Sequence, residues 1–173
     1  MSAARQFLQS AFDTRNSVRE LLQIVFASEL LAPSRCLWLV SPWLRDVPVL
    51  DNTTGSFLFL CPEFPQTEVR LSLVLRELLA RGSELVIATR PDAGNRQVID
   101  SLRGIGRDDG VIFHERAELH AKGIVGDSYS LVGSMNLTYN GLDRLTEMLV
   151  FQTERASVEQ LRLSFRREYG GRA

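Results

Sequence analysis

Residues 117–136 read Ala-Glu-Leu-His-Ala-Lys-Gly-Ile-Val-Gly-Asp-Ser-Tyr-Ser-Leu-Val-Gly-Ser-Met-Asn, and they concentrate the chain's reactive side chains. His120 and Lys122 are two apart, so on extended backbone they share one face. Gly126-Asp127-Ser128 has hairpin-turn chemistry between apolar strand residues. Ser134 and Asn136, again two apart, follow the returning strand. If the hairpin pairs, a histidine, a lysine, a hydroxyl and a carboxamide converge on one patch. A phosphoryl site needs that set: a nucleophile or base, a cation for the oxyanions, and neutral donors. A lone histidine beside a lysine is more often structural, so the combination carries the argument.

These side chains must be held by a larger scaffold. Val18, Leu21, Leu22, Val25, Phe26, Leu30 and Leu31 recur at helical spacing, and Ala32-Pro33 ends that helix. Residues 1–32 are therefore expected as an N-terminal helical segment packed on the rest. Cys36–Val40 reads as a fully buried strand, followed by the loop Ser41-Pro42-Trp43. Residues 51–66 read as loop, with a short strand at Phe57–Leu60. Val69 to Leu79 has the apolar pattern of a second helix, and Gly82 sits where a C-cap belongs. Leu85–Ala88 and Val111–Phe113 are apolar runs suited to strands, and a modest helix is expected near 97–102. The last helix, about 157–169, opens on a Ser157/Gln160 capping box. Alternating strands and helices predict an α/β fold: a mixed, largely parallel central sheet with helices on both faces. No repeat or linker interrupts it, so residues 1–173 are expected to form one domain.

Composition bounds the function. The chain has 173 residues, 45% of them hydrophobic, as in a globular protein. Twenty Lys and Arg against 21 Asp and Glu give a net charge of -1, so no basic coat marks it as a nucleic-acid binder, although a local basic groove is compatible with that total. Arg162, Arg166, Arg167 and Arg172 read first as a solvated face, with a nucleic-acid contact as the alternative. Cys36 and Cys61 lack metal-ligand spacing; two buried reduced thiols are favoured over one disulfide. No metal-ligand cluster or cofactor motif is visible. No leader-like or membrane-spanning apolar run occurs, which places the expected location in the cytoplasm. Trp38 and Trp43 read as core or pocket wall ahead of base-stacking platforms, and His114 as incidental.

His120-x-Lys122, four residues, Asp127, then Gly133-Ser134-x-Asn136 resembles the signature of the phospholipase D superfamily. Five residues separate Asp127 from Gly133, where the family commonly has six. Glu147, eleven residues after Asn136, resembles the family's later carboxylate. The resemblance implies a phospholipase D-like fold and a metal-independent phosphodiesterase, most like the small endonuclease-type members. It implies His120, Lys122, Asn136 and Glu147 as catalytic residues, with Glu147 orienting a histidine. Lys122, Ser134 and Asn136 would bind phosphate. Asp127, in the turn, is read as structural, as is Gly133.

The family's chemistry uses two histidines, one forming a phosphohistidine and one serving the leaving oxygen and then water. This chain has one motif, so the resemblance implies a homodimer with the site on the two-fold axis. The implied substrate is nucleic acid, DNA first. A lipid phosphodiesterase or phosphatidyl transferase, and a non-catalytic module binding nucleic acid or protein, remain as alternatives. The phrases Leu-Trp-Leu-Val-Ser-Pro-Trp and Gly-Ser-Met-Asn-Leu-Thr-Tyr-Asn-Gly also resemble phospholipase D-like proteins of bacterial DNA modification and restriction systems that insert 7-deazaguanine. That implies a defence role and possible partner proteins from such a system.

Overall fold

A computed structural model describes residues 4–9, 15–103 and 110–172. The remaining positions, which include part of the expected 1–32 segment, lie outside the described residues. The elements follow in chain order: β1 (Ala4–Gln9), α1 (Arg15–Leu31), β2 (Cys36–Val40), β3 (Pro48–Asp51), β4 (Glu68–Arg70), α2 (Leu71–Ala80) and β5 (Glu84–Thr89). Then come α3 (Ala93–Asp100), β6 (Val111–Glu115), β7 (Gly123–Val125), β8 (Ser130–Gly133), α4 (Tyr139–Asp143), β9 (Glu147–Gln152) and α5 (Arg155–Tyr169).

Seven strands form one sheet, ordered β1-β9-β8-β7-β2-β5-β6, and β3 and β4 form a separate ribbon. The fold is the expected mixed α/β sheet, but its parallel part is confined to β2, β5 and β6. Four pairings are antiparallel, from β2–β7 to β1–β9, so the sheet is not largely parallel. Part of the reason is local: the four residues between β7 and β8 make a hairpin, which allows only antiparallel neighbours, whereas a parallel pair needs a crossover.

Helices cover both faces. Leu37, Leu39, Leu85, Ile87, Ile124, Leu131 and Leu149 join Leu22, Phe26, Leu75 and Leu78 of α1 and α2 in one core cluster. On the other face, Cys36, Trp38, Val40, Val86, Ala88 and Val125 pack with Tyr169, Leu161 and Phe165 of α5. Burial on both faces explains why Cys36–Val40 is continuously apolar and does not alternate.

Four local expectations are corrected. Phe57–Leu60 is a run of turns, not a strand. Buried Asn52 organises it, accepting from Phe57 N at 2.7 Å and donating to Pro65 O at 2.9 Å. The second helix starts at Leu71 because Val69 pairs with Leu50 in the β3–β4 ribbon. Residues 4–9 are a strand and not part of a helix; they pair with β9 and cover what would be its open edge. The last helix is capped by Glu154, which accepts from Ala156 N at 3.0 Å and Ser157 N at 2.7 Å, not by Ser157.

Candidate active site

One end of the sheet gathers the reactive residues, and the strand registers explain why. Val40, the last residue of β2, lies opposite Ala88 on one side and Gly123 on the other, and Gly123 lies opposite Val132. Residues just beyond β2, β5 and β8 therefore emerge beside those just before β7 and at the start of β9. These are Ser41–Trp43, Arg90, Ser134–Asn136, His120–Lys122 and Glu147. In open α/β sheets, the carboxyl ends of parallel strands are the usual place for ligands.

His120 and Lys122 precede β7 on extended loop, where Gly133 N donates to Lys122 O at 3.4 Å and prolongs the ladder. Lys122 Nζ donates to the His120 carbonyl oxygen at 2.7 Å. Burial lowers the Lys122 pKa from its ordinary value; nearby Glu147 opposes the shift and Arg90 adds to it. The His120 ring is exposed and engages no partner among the described residues.

Asn136 Oδ1 accepts from Trp43 N at 3.4 Å and lies 3.5 Å from Ser41 Oγ. Only the amide oxygen can accept from a backbone N–H, so the bond from Trp43 orients the carboxamide and leaves its NH₂ group free to donate. Ser41 Oγ also donates to Trp43 O at 2.7 Å and accepts from Leu137 N at 3.2 Å, locking the loop after β2 to the segment after β8.

Ser134 Oγ donates to Glu147 Oε2 and accepts from Met148 N at 3.0 Å. In this arrangement the hydroxyl proton serves the carboxylate and not an open phosphate site. Glu147 is buried, bonded to Ser134 and close enough to Lys122 to act on its charge, but it makes no hydrogen bond to His120.

A family description of "Cardiolipin synthase, PLD-like domain" matches residues 47–169, which include every residue of this cluster except Ser41, Pro42 and Trp43. The chain belongs to the phospholipase D-like domain family. Among solved structures, NucT from Helicobacter pylori aligns with a TM-score of 0.60 at 10% identity, covering 96% of this chain and 95% of that one. Nuc from Salmonella typhimurium, described as a phospholipase D family member, gives 0.59 at 11% identity, over 96% and 93% of the two chains. Polyphosphate kinase from Porphyromonas gingivalis gives 0.58 at 12% identity, over 94% of this chain and 25% of the larger one. At these identities the likeness is one of fold. No curated protein matches the chain by sequence.

The glycines of this phospholipase D-like domain have steric reasons. A Cβ on Gly133 would collide with the Met148 carbonyl oxygen across the β8–β9 ladder, and one on Gly141 would collide with the Asn136 carbonyl oxygen. Both glycines therefore let the backbone approach that places Ser134 and Asn136. Asp127 sits at the hairpin tip. Its carboxylate meets Arg162 Nη2 at 2.8 Å and accepts from Arg35 N at 3.0 Å, and its backbone N donates to Ser34 Oγ at 2.8 Å. These contacts tie the hairpin to the entrance of β2 and to α5.

Arg162 is accordingly buried, not part of a solvated basic face, and Arg172 pairs with Glu84 at 3.1 Å. Arg166 and Arg167 remain exposed. His114 Nε2 bonds the Tyr169 carbonyl at 2.7 Å, securing the end of α5. Both cysteines are free and buried. Among the described residues, no group of three or more His, Cys, Asp or Glu could hold a metal, and no helix is long and apolar enough to cross a membrane.

Sequence spacing did not reveal Arg90. It leaves the end of β5, donates from Nε to the Leu119 carbonyl at 2.8 Å, and lies over the Trp43 ring at 4.8 Å. The two tryptophans diverge. Trp38 is fully buried with its Nε1 on Gly170 O at 2.9 Å, whereas Trp43 is 41% exposed at the site.

Proposed function

We propose that the chain is a metal-independent phosphodiesterase that cleaves nucleic acid, DNA foremost, through a phosphohistidine on His120. The observation that carries the reading is the shared location of an uncommitted histidine ring, Lys122 and the oriented Asn136 amide at one end of the sheet. A His120 ring nitrogen attacks phosphorus, a P–N bond forms, and the ester P–O bond breaks. Lys122 and the Asn136 NH₂ group stabilise the charge on the non-bridging oxygens. Water then attacks phosphorus, and the P–N bond breaks to free the histidine.

The leaving oxygen needs a proton, and the water must lose one. His114 is bonded to Tyr169, so a second copy of the chain supplies its His120 across a two-fold axis. Two identical histidines in opposite protonation states would titrate as a coupled pair. Glu147, held by Ser134, would position a histidine or balance Lys122. Asp127 and Gly133 maintain the scaffold. The chain would act as one domain in the cytoplasm, and a role in bacterial DNA modification or restriction would add DNA containing 7-deazaguanine to its substrates.

The test offers single- and double-stranded DNA, RNA and phosphatidylcholine vesicles to the protein and to His120→Ala, all in excess chelator. Chelator-resistant cleavage of nucleic acid that disappears in His120→Ala supports the reading. A metal requirement, or cleavage that survives the substitution, contradicts it. Turnover of phospholipid alone would assign a lipid phosphodiesterase. Binding without turnover would assign a non-catalytic module. Light scattering should give twice the mass of one chain.

A further inference from the structure

We propose that Trp43 and Arg90 form a subsite for an unpaired nucleotide next to the scissile phosphate, which makes single-stranded nucleic acid the preferred substrate class. The inference rests on the nucleic-acid reading of the site and deepens it. Trp43 keeps 41% of its surface exposed at the very end of the sheet that holds the reactive residues. Trp38, by contrast, is fully buried in the core.

The pair is built, not incidental. Trp43 N is bonded to Asn136, and Trp43 O accepts from Ser41 Oγ at 2.7 Å, so the backbone carrying the ring is fixed to the phosphate-binding segment. Arg90 N donates to Pro42 O at 3.2 Å, and its Nε holds the carbonyl of Leu119, the residue before His120. The guanidinium thus bridges the tryptophan loop and the histidine loop. Its two Nη groups donate to no partner among the described residues, which leaves a planar fork available to an oxyanion. Its charge already reaches Lys122, the cation of the motif.

An indole face and a guanidinium are together what single strands use. Bases that are unpaired stack on aromatic rings whatever their identity, while arginine neutralises the backbone. Bases inside a duplex are stacked on each other and cannot reach such a ring without being flipped. The geometry therefore assigns the flanking base to Trp43 and the flanking phosphate to Arg90.

The test separates recognition from turnover by using His120→Ala as a binding protein. Oligonucleotides of one sequence are supplied as DNA, as RNA, and as DNA with abasic positions beside the central phosphate, together with the matching duplex. Binding is followed by the fluorescence anisotropy of a dye carried on the oligonucleotide, a readout that the tryptophan variants leave intact. The expected result is tighter binding of single strand than duplex, and roughly 10-fold loss for the base-bearing strand in Trp43→Leu. Trp43→Phe should retain much of the affinity, and the advantage of base-bearing over abasic strand should collapse in Trp43→Leu alone. Arg90→Gln should weaken base-bearing and abasic strands alike and flatten the salt dependence. Equal losses on base-bearing and abasic strands in Trp43→Leu, or a wild-type preference for duplex, would overturn the subsite. If these binding ratios hold while the unsubstituted protein cleaves no nucleic acid, the subsite stands and the proposed activity falls.

Discussion

Lys122 Nζ and the carbonyl oxygen of His120 are 2.7 Å apart, so the two motif residues are joined through backbone and not ring to amine. The amine is oriented before any substrate arrives, and the imidazole is left free. Partial burial and the charge of Arg90 both disfavour the protonated amine, with Glu147 opposing them.

The first prediction concerns pH. The role of Lys122 requires its cation, and its pKa lies below the ordinary lysine value. Activity should therefore fall as pH rises through that lowered pKa, earlier than an exposed lysine would dictate. Lys122→Arg keeps a charge across this range and should lose the alkaline limb while retaining a small residual rate. A pH profile of kcat/KM for both proteins checks this; an unchanged limb in the variant would assign it to another group.

The Asp127–Arg162 pair should act on stability and leave chemistry largely intact. Arg162 is almost wholly buried, so removing it empties the space between α5 and the hairpin tip, while the Asp127 carboxylate keeps solvent and Arg35 as partners. Arg162→Ala is expected to cost about 2 kcal/mol, from the lost ion pair and the lost packing of a buried long side chain. That corresponds to a fall of roughly 6 °C in Tm for a chain of this size. Asp127→Asn should lower Tm by less and keep kcat within about threefold at a temperature where it is folded. Loss of kcat in folded Asp127→Asn would instead place that carboxylate in the chemistry.

The motif was legible because it is nearly contiguous. His120, Lys122, Gly133, Ser134 and Asn136 lie on either side of one hairpin, where period and turn residues suffice to pair them. Asn136 meets Trp43 across 93 positions and Arg90 meets Leu119 across 29, and no local pattern carries that information. It comes from the registers of β2 with β5 and β7, and of β7 with β8. The same blindness hid β1: its pairing with β9 depends on an edge formed about 140 residues later in the chain. Arg162 read as surface because helical spacing cannot show that an acidic hairpin tip will cover it.

Gly133→Ala should injure the site through backbone displacement. The new methyl group would meet the Met148 carbonyl, and relief requires β8 and β9 to part beside Ser134 and Glu147. A loss of about 1–3 kcal/mol is expected from such overpacking. The fall in kcat should exceed that of Ser134→Ala, because Asn136 moves too. Equal rates in Gly133→Ala and the unsubstituted protein would show that the close approach is dispensable.

Cys36 should resist thiol reagents in the native protein. Its side chain is fully buried, and burial pushes its pKa up to about 12, so almost no thiolate is present at neutral pH. Cys61 is likewise buried with a raised pKa. Titration with a chromogenic disulfide should find two thiols per chain in denaturant and none reacting promptly without it. Fewer than two thiols in denaturant would indicate a disulfide.

The central claim is that His120 is the nucleophile, and trapping the intermediate tests it most directly. The protein is mixed with a labelled nucleic-acid substrate in chelator, quenched in alkali during turnover, digested, and sequenced by mass spectrometry. The account predicts an acid-labile nucleotidyl adduct on His120, on at most one of the two chains in each dimer, and none in His120→Asn. Sustained cleavage with no adduct at His120, or with the adduct on another residue, would contradict it.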